Sequence, residues 1–176
     1  MESERPTRKC LRHETPSWIR PENERFFITI CCQQRADVQL TKQAEAKGLI
    51  DSFELGHRRG DWYGHLFLLM PDHLHAIMSF TEPLSSMNKS IRDWKRLMAR
   101  RYGIQWQDGF FEHRLRGLSA WDEKAAYIRK NPVRAGLCSR PEQWPWQWEP
   151  NRDGYGGLPP VKAAYCGCLG ADIPTK

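Results

Sequence analysis

Hydrophobic and polar positions alternate over residues 25–33, with Phe26, Ile28, Ile30 and Cys32 on one side and Phe27, Thr29, Cys31 and Gln33 on the other. β-Branched and aromatic residues dominate the run, and a period of two with that composition predicts a strand. Over 39–55 the period lengthens. Leu40, Ala44, Leu49, Ile50 and Phe53 fall on one side of a helix whose weak point is Gly48. Residues 62–69 are mostly apolar, which suits a central strand buried on both sides, and Met70-Pro71-Asp72 turns the chain. The next strand, 73–80, places Leu74, Ala76, Met78 and Phe80 on one side and His73, His75, Ile77 and Ser79 on the other. A helix over 85–102 follows, with Met87, Ile91, Trp94, Met98 and Tyr102 as its apolar line and Gly103 as its stop. A short strand over 109–116 leads to a last helix, opened at Ser119 with Asp122 as a capping pair. Pro132 is expected to end it near Asn131, because proline disfavours helical geometry in the residue before it.

This order of elements predicts an α+β fold, a ferredoxin-like (βαββαβ) antiparallel sheet with helices on one face, plus an extra C-terminal helix. The apolar sides of the strands would meet the helices, leaving the histidine side open. Residues 1–21 carry Pro6, Pro16 and Pro21 among charges and read as an irregular arm. Residues 22–149 form the domain, and 150–176 a Pro- and Gly-rich tail. Trp144, Trp146 and Trp148 alternate just before that tail. They are expected to pack on the domain, with stacking on unpaired bases as the alternative.

Candidate chemistry lies on the strand at 73–80. His73 and His75 are two apart, so their imidazoles project from one face and suffice to ligate one divalent cation; otherwise they are a solvent-facing pair. Tyr127 sits on the last helix with Asn131 one turn further on. A phenol with a pKa near ~10 is a poor nucleophile at neutral pH unless its electrophile is activated, as a cation activates a phosphodiester. Without that, Tyr127 is a packing residue.

Charge sharpens the picture. The chain of 176 residues has 27 Lys and Arg against 21 Asp and Glu, a net +6, with a pI near 9.1. That balance favours polyanionic partners. Lys89, Arg92, Arg96 and Arg100 form a stripe opposite the apolar line of their helix, flanked by Lys95 and Arg101. The stripe is a candidate phosphate surface, or else a solvated helix side. Arg114, Arg116, Arg129 and Arg134 lie near the candidate site in sequence and could steer a single strand inward. One domain is the expectation at this length, and a large barrel is excluded. No apolar run approaches the ~20 residues of a membrane span, and the charged first dozen residues give no secretory signal, so a cytoplasmic protein is expected. Cys31 and Cys32, adjacent in an apolar run, read as small hydrophobes. Cys166 and Cys168 lack a second ligand pair nearby.

Two motifs carry a resemblance. Met70-Pro71-Asp72-His73-Leu74-His75 is similar to the Met-Pro-Asn-His-hydrophobe-His segment of the tyrosine transposases of the HUH class. The stretch from Tyr127 through Asn131 and Pro132 to Leu137 resembles the tyrosine motif of the same family, especially its REP-associated members. Lys95 and the run from Gly109 to Arg116 also match, and the likeness covers residues 26–148. Asp72 stands where the family usually has Asn. The resemblance implies metal-dependent nicking and rejoining of single-stranded DNA. His73 and His75 would hold Mg²⁺ or Mn²⁺ with Asn131 as a third ligand. Tyr127 would attack the phosphodiester to give a 5′-phosphotyrosine. The implied partner is single-stranded DNA, such as a hairpin or palindromic repeat, bound by a monomer or homodimer. A catalytically weak, domesticated hairpin-binding regulator on the same fold is the alternative. A metal hydrolase built on the histidines is a third reading.

Overall fold

The computed structural model describes residues 24–34, 37–80 and 84–150, apart from the side chains of 84–86. The arm at 1–21, nearly all of the tail at 150–176, and Cys166 and Cys168 lie outside the described residues. Five strands, β1 (Arg25–Cys31), β2 (Tyr63–Leu69), β3 (His73–Ser79), β4 (Phe111–Leu115) and β5 (Gln147–Trp148), form one sheet in the order β4-β1-β3-β2-β5. Every pairing is antiparallel. Helices α1 (Gln43–Arg59) and α2 (Leu84–Tyr102) connect β1 to β2 and β3 to β4, and α3 (Gly117–Arg134) follows β4. The first six elements give the expected ferredoxin-like arrangement, with β5 added at the edge of β2.

The alternation in β1 and β3 sorts residues as expected. Phe26, Ile28, Ile30, Leu74, Ala76 and Met78 join Phe67 and Leu69 of β2 against Ala46, Leu49 and Phe53 of α1 and Met87, Ile91, Trp94 and Met98 of α2. Each fully buried side chain of this size stabilises the fold by roughly 1.5–3 kcal/mol. Gly48 and Gly56 have a packing reason to lie inside α1. A Cβ at Gly48 would meet Tyr102 Oη at 1.8 Å, and one at Gly56 would meet the Trp62 indole at 2.2 Å.

The opposite side of the sheet departs from expectation. It is not open. Phe27, Leu66, Leu68 and Ile77 pack there against Ala125 and Ile128 of α3, with Trp144 completing the layer. The sheet is therefore sandwiched between α1 and α2 on one side and α3 on the other. Two details of α3 also differ. It begins at Gly117 after Arg116, which makes no side-chain cap, so Ser119 lies inside the first turn. It runs past Pro132 to Arg134. Pro132 is buried, and the helix ends two residues later, with Ala135 N–H donating to Asn131 O (2.9 Å) and Leu137 N–H to Pro132 O (2.9 Å). A proline this close to a helix end interrupts little of the ladder beyond it, and burial offsets the lost hydrogen bond.

The tryptophans before the tail pack on the domain. Trp144 Nε1 donates to Leu69 O (2.8 Å), Leu69 N–H donates to Trp146 O (2.9 Å), and Trp148 lies edge-on to Phe53 with ring centres 5.3 Å apart. Arg129 closes this return with two 2.9 Å bonds to Glu149.

Candidate active site

The start of β3 is pinned from both sides. Met70 N–H donates to His73 O, and Cys32 N–H donates to Asp72 O, each at 2.8 Å. His73 and His75 therefore sit on a central strand, paired with Cys31 and Thr29 of β1. Their rings lie on the α3 side with centres 4.9 Å apart and planes nearly perpendicular. His73 Nδ1 is 2.6 Å from Asp72 Oδ1, and His75 Nδ1 is 2.9 Å from Thr29 Oγ1. A carboxylate only accepts, so His73 donates from Nδ1 to Asp72, and Nε2 is the ring nitrogen left for a ligand. Asp72 thus orients a histidine. Thr29 is positioned to do the same for His75.

Tyr127 approaches from α3. Its ring centre is 6.0 Å from that of His75, and it is 39% exposed, while His75 is 5% exposed and stacked on Phe27 at 5.4 Å. Two cations flank the tyrosine ring: Lys124 Nζ at 5.3 Å and the Arg134 guanidinium at 5.4 Å from its centre. Lys124 also stands 4.7 Å above the Phe27 ring. Asn131 lies one turn beyond Tyr127, and its amide Nδ2 is buried with no hydrogen-bond partner. Among the described residues no group of three or more His, Cys, Asp or Glu could hold a metal ion. A cation here would need a neutral donor beside the two imidazoles. The carbonyl oxygen of an asparagine amide is such a donor, so these residue types would suit a divalent ion with mixed nitrogen and oxygen ligands.

The remaining predicted residues divide. Lys89 and Arg96 both pair with Asp93, at 2.9 and 3.7 Å, and these ion pairs hold the Asp93 carboxyl below its ordinary range. Arg92 and Arg100 are exposed on the same helix, and Arg101 lies over the Tyr102 ring at 5.6 Å. Lys95 points inward: Nζ donates to Gln107 O (2.8 Å) and Gly109 O (2.5 Å), and burial lowers its pKa. Arg114 pairs with Glu24 at 3.1 Å, and Arg116 is exposed. The hydrogen bond to Glu149 raises the pKa of Arg129, which ties down the chain before the tail. The fold thus gathers His73, His75, Tyr127 and Arg134 on one side of the sheet and leaves the α2 stripe on the other. Sequence reading missed Thr29 and Lys124. Thr29 had a signal, since it alternates onto the histidine side of β1. Lys124 had none, because its role depends on where α3 docks.

The sheet is ferredoxin-like, with a His-hydrophobe-His strand at its centre and a helix-borne tyrosine over it. Over 138 residues the chain is 28% identical to the REP-associated tyrosine transposase of Escherichia coli strain K12, covering 77% of this chain and 82% of that protein. This bears out the resemblance carried by the two motifs, and the relative's name agrees with the expectation of a tyrosine transposase enzyme. The fold is similar to that of a REP-associated tyrosine transposase solved with a REP hairpin bound, with a TM-score of 0.63, 22% identity, and coverage of 86% of this chain and 93% of that one. No family model matches. Among the described residues no helix is long and apolar enough to cross a membrane.

Proposed function

We propose that the protein nicks and rejoins single-stranded DNA at hairpin or palindromic repeats, through attack of Tyr127 on a phosphodiester. The observation that carries this reading is the convergence of His73, His75 and Tyr127, with ring centres 4.9 and 6.0 Å apart and each Nδ1 of the histidines beside an oxygen partner. His73 and His75 would hold Mg²⁺ or Mn²⁺ through Nε2, with Asn131 as a third donor. When bound, the ion polarises the scissile phosphate. The Tyr127 oxygen forms a bond to phosphorus as its proton leaves. The bond from phosphorus to the 3′ oxygen breaks, and that oxygen takes up a proton, giving a 5′-phosphotyrosine and a free 3′-hydroxyl. Lys124 and Arg134 offset the phosphate charge as the strand approaches the ring they flank. A cytoplasmic location accords with this activity.

The test uses end-labelled single-stranded hairpins with Mn²⁺ or Mg²⁺ and reads protein–DNA adducts on denaturing gels. The wild type is expected to form an adduct. Tyr127→Phe is expected to keep hairpin affinity and lose the adduct altogether, since the ring remains and the oxygen does not. A phenylalanine variant that still became linked would remove Tyr127 as the nucleophile. A wild type that bound hairpins yet never formed an adduct would restore the binding-only alternative.

A further inference from the structure

A groove outside the histidine–tyrosine site runs between α2 and the segment that follows it. Its volume is about 590 Å³, within the range of small-molecule sites. Arg92, Lys95 and Arg96 line it from the helix, and Trp106 and Phe110 from the segment. The two sides are fastened together. Lys95 Nζ binds the carbonyls of Gln107 and Gly109, and Trp106 Nε1 donates to Lys95 O at 3.1 Å. Lys95 is thus committed to holding the groove's shape, and Arg92 and Arg96 are its solvent-facing cations. Asp108 is the acidic group among the lining residues.

The groove also leads somewhere. Gly109, at φ 68°, takes a left-handed turn, after which Phe110 packs against the α1/α2 core. The next residue, Phe111, emerges on the other side of the sheet, 55% exposed and edge-on to Phe27 at 6.2 Å. Phe27 in turn stacks on His75. β4 is the outermost strand on this side. Residues 110–111 therefore carry aromatic side chains around the sheet edge, from the cationic groove to the side of the sheet that holds Tyr127. Cations beside aromatic rings suit an unpaired nucleotide, whose phosphate and base face need both. A duplex presents no free base face to such a groove.

We propose that this groove binds an unpaired nucleotide of the DNA strand that Tyr127 attacks, with its phosphate at Arg92 and Arg96, its base against Trp106 and Phe110, and the strand crossing Phe111 at the β4 edge. The inference rests on the single-strand reading above and specifies where the flank of a hairpin runs.

The experiment measures the affinity of the full chain for three DNAs: one hairpin trimmed flush, and the same hairpin with a 5′ or a 3′ single-stranded flank. Arg92→Gln removes an exposed cation. Ala99→Phe, at another lining position, fills the groove without changing charge. The wild type should prefer one flanked hairpin. Each variant should lose about tenfold or more on that DNA, the scale of one stacked base, while binding the flush hairpin as the wild type does. Equal losses on flush and flanked DNA, or no loss on either, would overturn the groove alone. A wild type that bound none of the hairpins would overturn the single-strand reading and the groove with it.

Discussion

The two faces of the sheet are built on different terms. The face under α1 and α2 is almost entirely apolar, and aromatic rings interlock there: Phe53 stacks on Phe67 at 4.2 Å, and Trp94 meets Phe67 edge-on at 6.2 Å. The face under α3 has a smaller apolar layer that shares its area with His75, Ser79 and Tyr127. It also carries buried polar atoms without partners: Trp121 Nε1 and Asn131 Nδ2 on α3 and Arg25 Nε on β1. An unsatisfied buried donor costs about 1–3 kcal/mol. The α3 face thus gives up stability to keep polar groups in place, and the α1/α2 face supplies what it lacks. One strand, β3, serves both through its alternation.

That contrast can be broken from either side. The largest stability effect is expected from Phe67→Ala, which empties the centre of the α1/α2 core. A loss of about 3–5 kcal/mol in denaturant unfolding is typical of such a cavity. Tyr127→Phe, by contrast, should leave unfolding within about 0.5 kcal/mol of wild type, because the ring is kept and lies at the surface. If Phe67→Ala were as mild as Tyr127→Phe, the division of labour between the faces would be wrong.

A smaller effect is expected at Thr29. Thr29→Val preserves shape and removes the oxygen beside His75 Nδ1. Loss of such an orienting partner typically lowers metal affinity about 10–100-fold. Calorimetric titration with Mn²⁺ would read it, with melting temperature as the control. Unchanged affinity would mean that Thr29 does not orient His75 for a cation.

A more gradual effect concerns acid. At the other end of the α3 face, His65 Nε2 lies 2.9 Å from Ser79 Oγ, and burial, with Arg25 and His57 nearby, lowers its pKa to about 3. Burial lowers that of His57 as well. The folded state thus refuses a proton that the unfolded chain accepts below pH 6.5. Stability is fully present above that pH and falls as the pH drops toward 3, by roughly 1 kcal/mol per pH unit from His65. His65→Gln should flatten the slope between pH 6.5 and 4.5 in denaturant unfolding. An unaltered slope would place the acid sensitivity elsewhere.

Much of this was legible in the sequence because strand alternation is a local code. The period of two in β1 and β3 assigned Phe26, Ile28, Leu74 and Ala76 to the core and both histidines to the opposite face, independent of anything distant. The last helix was legible as a helix but not as a layer. Nothing within α3 says which side of a sheet Ala125 and Ile128 will cover, so an open histidine face was expected. Pro132 misled for a related reason, since a local preference yields when a residue is buried near a helix end. Gly48 looked like a flaw in α1 until Tyr102 occupied the space that a side chain would need. The charge stripe of α2 was legible as a pattern. Its internal pairing through Asp93, and the inward turn of Lys95, depended on geometry.

The return of the chain to the edge of β2 sets a timing problem for folding. β2 pairs with β5 through Phe67–Trp148 and Leu68–Gln147, contacts separated by some 80 residues along the chain. Local hairpins such as β2–β3 close early, whereas a distant segment must pay the entropy of a long loop before it gains a contact. During synthesis β2 is complete well before Trp144–Trp148 emerge. In that interval it presents an apolar, unpaired edge, the kind of surface on which nascent chains associate. The Arg129–Glu149 clasp then acts as a late latch. By joining α3 to the segment that covers β2, it makes closure of the vulnerable edge and seating of the tyrosine helix parts of one cooperative event.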